Sequence, residues 1–116
     1  MFEVLHDVAR PVELLRTVKR LLAPGGTALI VDERVADQFT APGDEVERFM
    51  YTCSVLHCLP IALVEQPSAA TGTVLRSDTV RAYAAEAGFA AVEILPVEND
   101  FFRFYKLVLA RTETNT

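Results

Sequence analysis

The sequence predicts an α/β fold with a mixed sheet, and three observations support this. Segments with helical spacing of apolar residues alternate with short apolar runs rich in β-branched residues. Glycine and proline mark the boundaries between them. A composition of 51% hydrophobic and 23% charged residues excludes a disordered chain. We expect one domain of 116 residues. It has a strand–helix–strand part over residues 1–34, a helical insertion and loop over 35–72, and a helix with a β-hairpin over 73–111.

The first part begins with a short apolar stub, Phe2 to Leu5, that ends at His6 and Asp7. Pro11 suits the first turn of a helix. The apolar residues after it share one predicted inner face, which comprises Leu14, Leu15, Val18, Leu21 and Leu22. Pro24-Gly25-Gly26 ends that helix, and the apolar run Thr27 to Val31 predicts a strand buried on both faces, with Asp32 and Glu33 closing it.

The middle part contains one predicted helix and one predicted loop. Asp44, with Glu47 three residues later, resembles a helix N-terminus. The expected inner stripe of this helix is Val46, Phe49, Met50, Cys53 and His57. The stretch Leu59 to Gly72 holds two prolines and has no clear period, which predicts a surface loop.

The last part predicts a helix and a hairpin. Ser77 is the expected N-cap, Gly88 the left-handed C-terminal residue, and the inner stripe is Val80, Tyr83, Ala84 and Ala87. Ala91 to Pro96 and Phe101 to Ala110 should pair as an antiparallel hairpin. We expect Arg103 to pair with Glu93 or Glu98 across it and the tail, Thr112 to Thr116, to be frayed.

Charge and composition narrow the possible partners. The net charge is −5 and the 11 Lys and Arg residues are scattered, so nucleic acid is not an expected ligand. No apolar run approaches the ~20 residues that span a membrane, and the N-terminus lacks signal-peptide features. We therefore expect a cytoplasmic protein, with Cys53 and Cys58 not joined by a disulfide.

Two stretches of the chain resemble class I S-adenosylmethionine-dependent methyltransferases. VLHDVARPVELLRTVKRLLAPGGTALIVDE is similar to the family's fourth strand, following helix and fifth strand. LRSDTVRAYAAEAGFAAVEILPVENDFFRFYKLVLAR is similar to its last helix and closing antiparallel hairpin. The resemblance implies the C-terminal half of a partial Rossmann-like sheet, with the helix between the two stretches as a substrate-lid insertion.

The sequence departs from the family at the cofactor site. It contains no Gly-x-Gly-x-Gly loop and no acidic residue ending a second strand, so the glycine-rich half that binds S-adenosylmethionine is missing. Only the lip of that site would be formed here, by Leu5, His6 and Asp7. We expect this chain alone to bind no cofactor and to lack activity, whether it is a truncated sequence or a natural remnant.

The resemblance implies a catalytic role for His6. In the family's small-molecule O-methyltransferases, a histidine after the fourth strand is a general base, and Val8 here replaces the usual tryptophan. The alternative is that His6 only shapes the helix entry. Asp7 either orients His6 or, as we prefer, supplies negative charge at the start of the helix. Asp32 and Glu33 lie at the functional edge of the predicted sheet, although acids there are commonly only solvated.

The insertion helix supplies the candidate substrate residues Phe49, Met50, Cys53 and His57, since in the intact family it faces the substrate. The alternative is that they are core residues. We predict no metal site, because Cys53, His57 and Cys58 would need His6 as the fourth ligand of a structural zinc.

Two functions follow. The first is methyl transfer to an unidentified small molecule by an enzyme of which this chain is a part. The second is a non-catalytic α/β interaction module. A sheet cut at its fourth strand leaves an open edge, which predicts a homodimer or a partner that supplies the missing half.

Overall fold

The computed structural model describes residues 1–110, and it confirms an α/β fold. Helix α1 spans Pro11–Leu21 and is followed by strand β1, Ala28–Glu33. Helix α2, Glu45–Cys53, runs into a π-helical segment, Ser54–Cys58, and then helix α3, Leu59–Leu63. Helix α4 spans Ser77–Ala87, and strands β2, Ala91–Ile94, and β3, Phe102–Val108, follow it. The predicted frayed tail, Thr112 to Thr116, lies outside the described residues.

The three strands form an antiparallel sheet in the order β1-β3-β2. The predicted hairpin is confirmed, with Ile94 opposite Tyr105, but β3 also pairs with β1 along its whole length, with Ile30 opposite Tyr105. The N-terminal stub adds a parallel bridge between Phe2 and Val31 on the other side of β1. The stub is therefore one bridge and not a full strand, because Glu3 has a φ of 49° that breaks the extended backbone.

One face of this sheet is covered by α1 and α4. Leu15 from α1 and Val80 and Ala84 from α4 pack in a single buried cluster with Ile30 and Tyr105 of the sheet. Leu5, from the end of the stub, lies in the same cluster and is fully buried. The end of the stub is consequently held in place by the core.

The opposite sheet face is only partly covered. Phe2 is 64% exposed and Leu29 37% exposed, and Lys106 forms an ion pair with Glu93 on this face at 3.3 Å. The expectation that β1 is buried on both faces is therefore wrong at Leu29. We call the face that carries Phe2, Leu29, Glu93 and Lys106 the open sheet face.

The helix boundaries and inner stripes depart from the predictions at several points. In α1, Leu15 is buried but Leu21 is 80% exposed, because the helix ends there and its last side chain projects past the core. In the predicted inner stripe of the insertion helix, Met50 is buried, whereas Phe49 is 59% exposed and His57, in the π-helical segment, is exposed. Two polar residues outside that stripe, Glu47 and Ser54, are buried instead.

The helix ends predicted from the sequence are confirmed at Asp44 and Gly88 and are wrong at two other positions. Asp44 caps α2, since its side chain accepts a hydrogen bond from the Glu47 backbone N–H at 2.8 Å. Gly88 ends α4 with a φ of 91°. Ser77 is not the N-cap but the first helical residue, and its hydroxyl donates to Asp37 at 2.9 Å. Leu59–Leu63, predicted as loop, is helical, with Pro60 in the first turn, where proline is tolerated.

Candidate functional site

The end of the stub and the end of β1 meet at one edge of the molecule. The parallel bridge between Phe2 and Val31 places the residues that follow each of them side by side. His6 comes from the stub and Asp32 from β1, and their side chains form a buried hydrogen bond of 2.6 Å between Nδ1 and Oδ1. Both side chains therefore lie at the carboxyl end of β1, next to the N-terminal stub.

The His6 and Asp32 pair is almost completely buried. The His6 side chain is 3% exposed and Asp32 is fully buried. Asp32 Oδ1 also accepts the Glu33 backbone N–H at 2.9 Å, which fixes the carboxylate relative to the strand. The other oxygen, Oδ2, is buried without a hydrogen-bond partner among the described residues. Asp32 is therefore held rigidly and oriented toward the imidazole.

The pKa of His6 is raised above its ordinary value by this arrangement. Burial lowers the pKa, but the hydrogen bond and the negative charge of Asp32 outweigh it, with smaller contributions from Asp7 and Glu33. A hydrogen bond from Nδ1–H to a carboxylate leaves the lone pair of the neutral ring on Nε2. Nε2 is thus the atom of this pair that is free to accept a proton or a ligand.

Asp7 lies on the Nε2 side of the ring. Its Oδ1 is 3.2 Å from Nε2, within ion-pair distance, but the geometry is not that of a hydrogen bond, and Oδ1 has no partner of that kind among residues 1–110. Asp32, and not Asp7, is the residue that hydrogen-bonds to His6. The preferred role of Asp7, charge at the start of α1, is compatible with its position three residues before Arg10, the N-cap residue of α1.

Glu33 pairs with another acid, Glu3, beside this site. Burial, a hydrogen bond with Glu3 and the nearby charges of Glu3 and Asp32 raise the pKa of Glu33 to about 7. Asp32 and Glu33 close β1 as predicted, since they are its last two residues, but both are buried and not solvated. Burial makes the Glu33 carboxyl retain its proton more readily than an exposed carboxyl does.

The π-helical segment brings Cys58 to the same place. The ligand atoms of His6, Asp7 and Cys58 all lie within 4.8 Å of one another. Burial is the main cause that raises the pKa of the Cys58 thiol. Both cysteines are free, and Cys58 Sγ also lies 3.8 Å from His57 Nδ1. A π-helical turn is frequent at functional sites, and here it carries the side chain nearest to His6 and Asp7.

The remaining predicted site residues do not converge. Leu5 packs into the core cluster, so its side chain does not line a cofactor site. Met50 points inward, Phe49 and His57 are exposed, and Cys53 is half-buried. The four candidate substrate residues thus lie on more than one side of the α2 and π-helical segment. Arg103 pairs with Asp37 at 3.2 Å and not with Glu93 or Glu98, because Glu93 is paired with Lys106.

A surface depression of about 750 Å³ lies at the other end of the sheet, and its titratable side chains are Lys19 and Lys106. His6, Asp32 and Cys58 therefore do not line this depression.

Neither a protein-family model nor a curated protein matches this chain. Among residues 1–110, the helices are all too short or too polar to cross a membrane.

Two features of the site were not predicted from the sequence. Asp32 and Glu33 were weighed as edge acids but not as partners of His6 and Glu3. Cys58 was grouped with Cys53 and His57, its neighbours in sequence, and not with Asp7. The parallel alignment of the stub with β1 was the one available signal for the first feature, since it places residues after Phe2 beside those after Val31.

Proposed function

We propose that this chain is the C-terminal half of a class I S-adenosylmethionine-dependent methyltransferase, and that His6 is the general base of that enzyme. The observation that supports this is the buried hydrogen bond between His6 and Asp32. It joins the ends of two parallel backbone segments at the ligand-binding edge of an α/β sheet. The order of helices and strands is compatible with the resemblance noted in the sequence.

The proposed chemistry of His6 is proton acceptance from a small-molecule hydroxyl. Asp32 holds Nδ1–H, which leaves the Nε2 lone pair for the acceptor's O–H proton. S-adenosylmethionine, held by the other segment or chain, would supply the methyl group and leave as S-adenosylhomocysteine, and His6 Nε2 would take the proton of the acceptor hydroxyl. The resulting imidazolium is stabilised by Asp32 and by Asp7, whose Oδ1 lies 3.2 Å from Nε2.

The residues present do not fit the cofactor by themselves. Leu5 is committed to the core, and Gly25, Gly43, Gly72 and Gly88, the glycines with positive φ, lie in turns or at a helix end and not in a loop after a first strand. We therefore assign this chain only the proton-accepting part of the reaction, and propose that another segment or another chain holds S-adenosylmethionine. The free thiols of Cys53 and Cys58 favour the cytoplasm as the compartment.

A second candidate function is a non-catalytic module that forms a homodimer. The observation that favours it is the open sheet face, where Phe2 and Leu29 are exposed next to Glu93 and Lys106. A face with apolar residues and one charge of each sign does not repel its own copy. In the methyltransferase proposal the missing half covers this face.

The first experiment sequences the DNA around the coding region and then measures the binding of S-adenosylhomocysteine. We expect a segment with Gly-x-Gly-x-Gly either upstream in the same frame or in an adjacent frame. We expect the protein that contains both parts to bind S-adenosylhomocysteine one to one in calorimetry. This chain alone should give no saturable heat. Absence of such a segment, together with no binding by any form of the protein, would contradict the proposal and favour the interaction module.

The second experiment tests His6 in the protein that contains both parts, with a panel of phenols and other hydroxyl compounds as acceptors. His6→Gln should lower kcat by roughly 10²–10⁴-fold, the usual contribution of a general base, and leave the affinity for S-adenosylhomocysteine unchanged. An exposed acid remote from the site, Asp78→Asn, is the control for general effects of substitution. A kcat that is the same in His6→Gln and the parent protein would exclude the base.

A further inference from the structure

Three different metal-ligating atoms converge at the carboxyl end of the stub. One ligand atom from each of His6, Asp7 and Cys58 lies within 4.8 Å of the other two. Between His6 and Asp7 the contact joins Nε2 to Oδ1, at 3.2 Å. His6 and Asp7 come from the stub and Cys58 from the last residue of the π-helical segment. The fold therefore joins residues that are distant in sequence into one compact set of nitrogen, oxygen and sulfur donors.

The Asp7 carboxylate has an unused oxygen that faces this set. Oδ1 is buried, has no hydrogen-bond partner among the described residues, and lies 3.2 Å from His6 Nε2. With the Nδ1–H of His6 donated to Asp32, the neutral ring also presents an acceptor at Nε2. Two acceptors that face each other in a buried place are unfavourable unless a proton or a metal ion lies between them.

Asp32 supplies the outer support that metal-binding histidines usually have. A histidine that binds a metal through one nitrogen almost always donates its other N–H to a carboxylate or carbonyl, which fixes the tautomer and the ring orientation. The Nδ1 to Asp32 Oδ1 hydrogen bond of 2.6 Å has this arrangement, and the Glu33 backbone N–H holds Asp32 in turn. The first ligand is thus already oriented.

We propose that His6, Asp7 and Cys58 form a binding site for a transition-metal ion of the Zn²⁺ class. Imidazole, carboxylate and thiolate are all zinc ligands, while Ca²⁺ and Mg²⁺ prefer oxygen alone. Three protein ligands leave a fourth tetrahedral position for water or another ligand. With zinc bond lengths of about 2.0–2.3 Å, tetrahedral ligand atoms are roughly 3.3–3.8 Å apart. His6 Nε2 and Asp7 Oδ1, at 3.2 Å, are already close to this separation, and Cys58 lies within 4.8 Å.

This metal site differs from the structural zinc site considered from the sequence. The structural site combined Cys53, His57 and Cys58 and required a fourth ligand. In the fold, Cys58 turns toward His6 and Asp7, while Cys53 and His57 are outside the group of three. The inference is independent of the proposed methyl transfer. A metal on Nε2 occupies the atom that the general base uses, so Zn²⁺ should inhibit any activity that depends on that base.

The test uses the purified chain, freed of metal with a chelator, and Co²⁺ as a spectroscopic probe for the zinc site. We expect a sulfur-to-cobalt charge-transfer band in the near ultraviolet that saturates at one Co²⁺ per chain and disappears when Zn²⁺ is added. Cys58→Ser should remove the band. Cys53→Ser, a free thiol five residues away, is the matched control and should retain it.

Two further variants keep the test informative if Cys58→Ser folds poorly, which circular dichroism would reveal. Asp7→Asn changes a partly exposed side chain and should weaken Zn²⁺ binding at least tenfold while the cobalt band persists. Asp32→Asn should weaken binding by roughly 10–100-fold, as is usual when the support of a histidine ligand is removed. No band at saturating Co²⁺, or a band that survives in Cys58→Ser and vanishes in Cys53→Ser, would overturn the proposal. Unchanged Zn²⁺ affinity in Asp7→Asn would also overturn it.

Discussion

Among its neighbours, Asp32 has the largest effect on the protonation of His6. Burial alone would lower the pKa of the imidazole, and the balance goes the other way because the buried Asp32 carboxylate supplies a negative charge and accepts a hydrogen bond from Nδ1–H at 2.6 Å. Asp7 reinforces the effect from the other nitrogen. A base whose pKa lies above 6.5 has its neutral form depleted in mildly acidic solution, so any activity that requires neutral His6 should decline as pH falls through that range.

Replacing Asp32 by asparagine should lower the pKa of His6. Asp32→Asn removes the charge but leaves the ring buried, so burial is no longer outweighed and the pKa of His6 should fall. The measurement is an NMR titration of the imidazole signals in metal-free protein. The chain has only two histidines, and exposed His57 supplies the reference signals. A His6 titration that is the same in both proteins would contradict the assigned role of Asp32.

Glu33 should make the folded state less stable as pH rises from about 4.5 to 7. Its pKa is raised from 4.5 to about 7 by burial and by Glu3, so the folded protein retains a proton that the unfolded chain releases. The stability that this proton contributes is fully present below pH 4.5 and is lost as pH rises through 7. Glu33→Gln should flatten the pH dependence of the unfolding free energy in that window.

Urea unfolding at a series of pH values, with chelator present, measures this dependence. Glu93→Gln is the matched control, because Glu93 is an exposed acid on strand β2, which β3 separates from β1. The raised pKa of His6 contributes in the same direction but only as pH rises above 6.5, so the lower part of the window reports on Glu33. Equal slopes for the parent and Glu33→Gln would show that the Glu33 pKa is not raised.

Single residues also show how much of the site was readable from the sequence. The Leu-His-Asp run pointed to His6, and the acids at the end of β1 were recognised as edge residues. Their pairing depends on the parallel alignment of the stub with β1, which is a long-range contact with no local sequence signal. Cys58 was missed because its position depends on the extra residue in a π-helical turn, which changes the direction of every side chain after it.

Among the helices, α1 shows how packing selects from an apolar pattern. Leu15 and Leu21 both matched the predicted inner stripe, yet only Leu15 reaches the core. Leu15→Ala should therefore cost about 2–5 kcal/mol of unfolding free energy, because it removes fully buried methyl groups and leaves a cavity. Leu21→Ala, a chemically identical change at an 80% exposed site, should cost little. Denaturant unfolding of both variants gives the comparison, and equal losses would mean that α1 is packed differently.

The N-terminus of α2 is stabilised by one side chain. Asp44 accepts the Glu47 backbone N–H at 2.8 Å, so Asp44→Ala should destabilise the fold by about 0.5–2 kcal/mol. Asp44→Ser is the control, since serine also caps helices and should recover most of the loss. Thermal unfolding followed by circular dichroism measures both. If serine is as damaging as alanine, then the charge of Asp44 and not its hydrogen bond stabilises the helix.

The helices also explain why α3 was predicted as a loop. Leu59-Pro60 interrupts the apolar period, and proline inside a helix normally ends it. Here Pro60 lies in the first turn of a new helical segment directly after the π-helical turn, where its missing N–H costs little. The hydroxyl of Ser68 donates to the Ala62 carbonyl and so closes the loop against this segment. Pro60 therefore interrupts the apolar pattern of the sequence but does not interrupt the helical backbone.

At the scale of the whole molecule, the fold class could be predicted and the strand order could not. Alternating helical and β-branched segments define an α/β chain, and the short connection between β2 and β3 correctly implied a hairpin. That β3 lies between β1 and β2 depends on pairing between residues far apart in sequence, as with Ala28 and Leu107. Such pairing is decided by burial of both strand faces and not by any local signal.

The open sheet face predicts how whole molecules associate. Phe2 and Leu29 expose apolar surface next to an edge that only one bridge protects, so the isolated chain should form a concentration-dependent dimer. Leu29→Lys places a charge in that face and should shift the mass measured by light scattering to the monomer. Leu21→Lys is the control: its side chain is even more exposed but lies on α1, which covers the other face, so it should leave the dimer intact. A parent chain that stays monomeric at high concentration would exclude the homodimer. The open face would then have to be covered, if at all, by a different polypeptide, as the methyltransferase proposal requires.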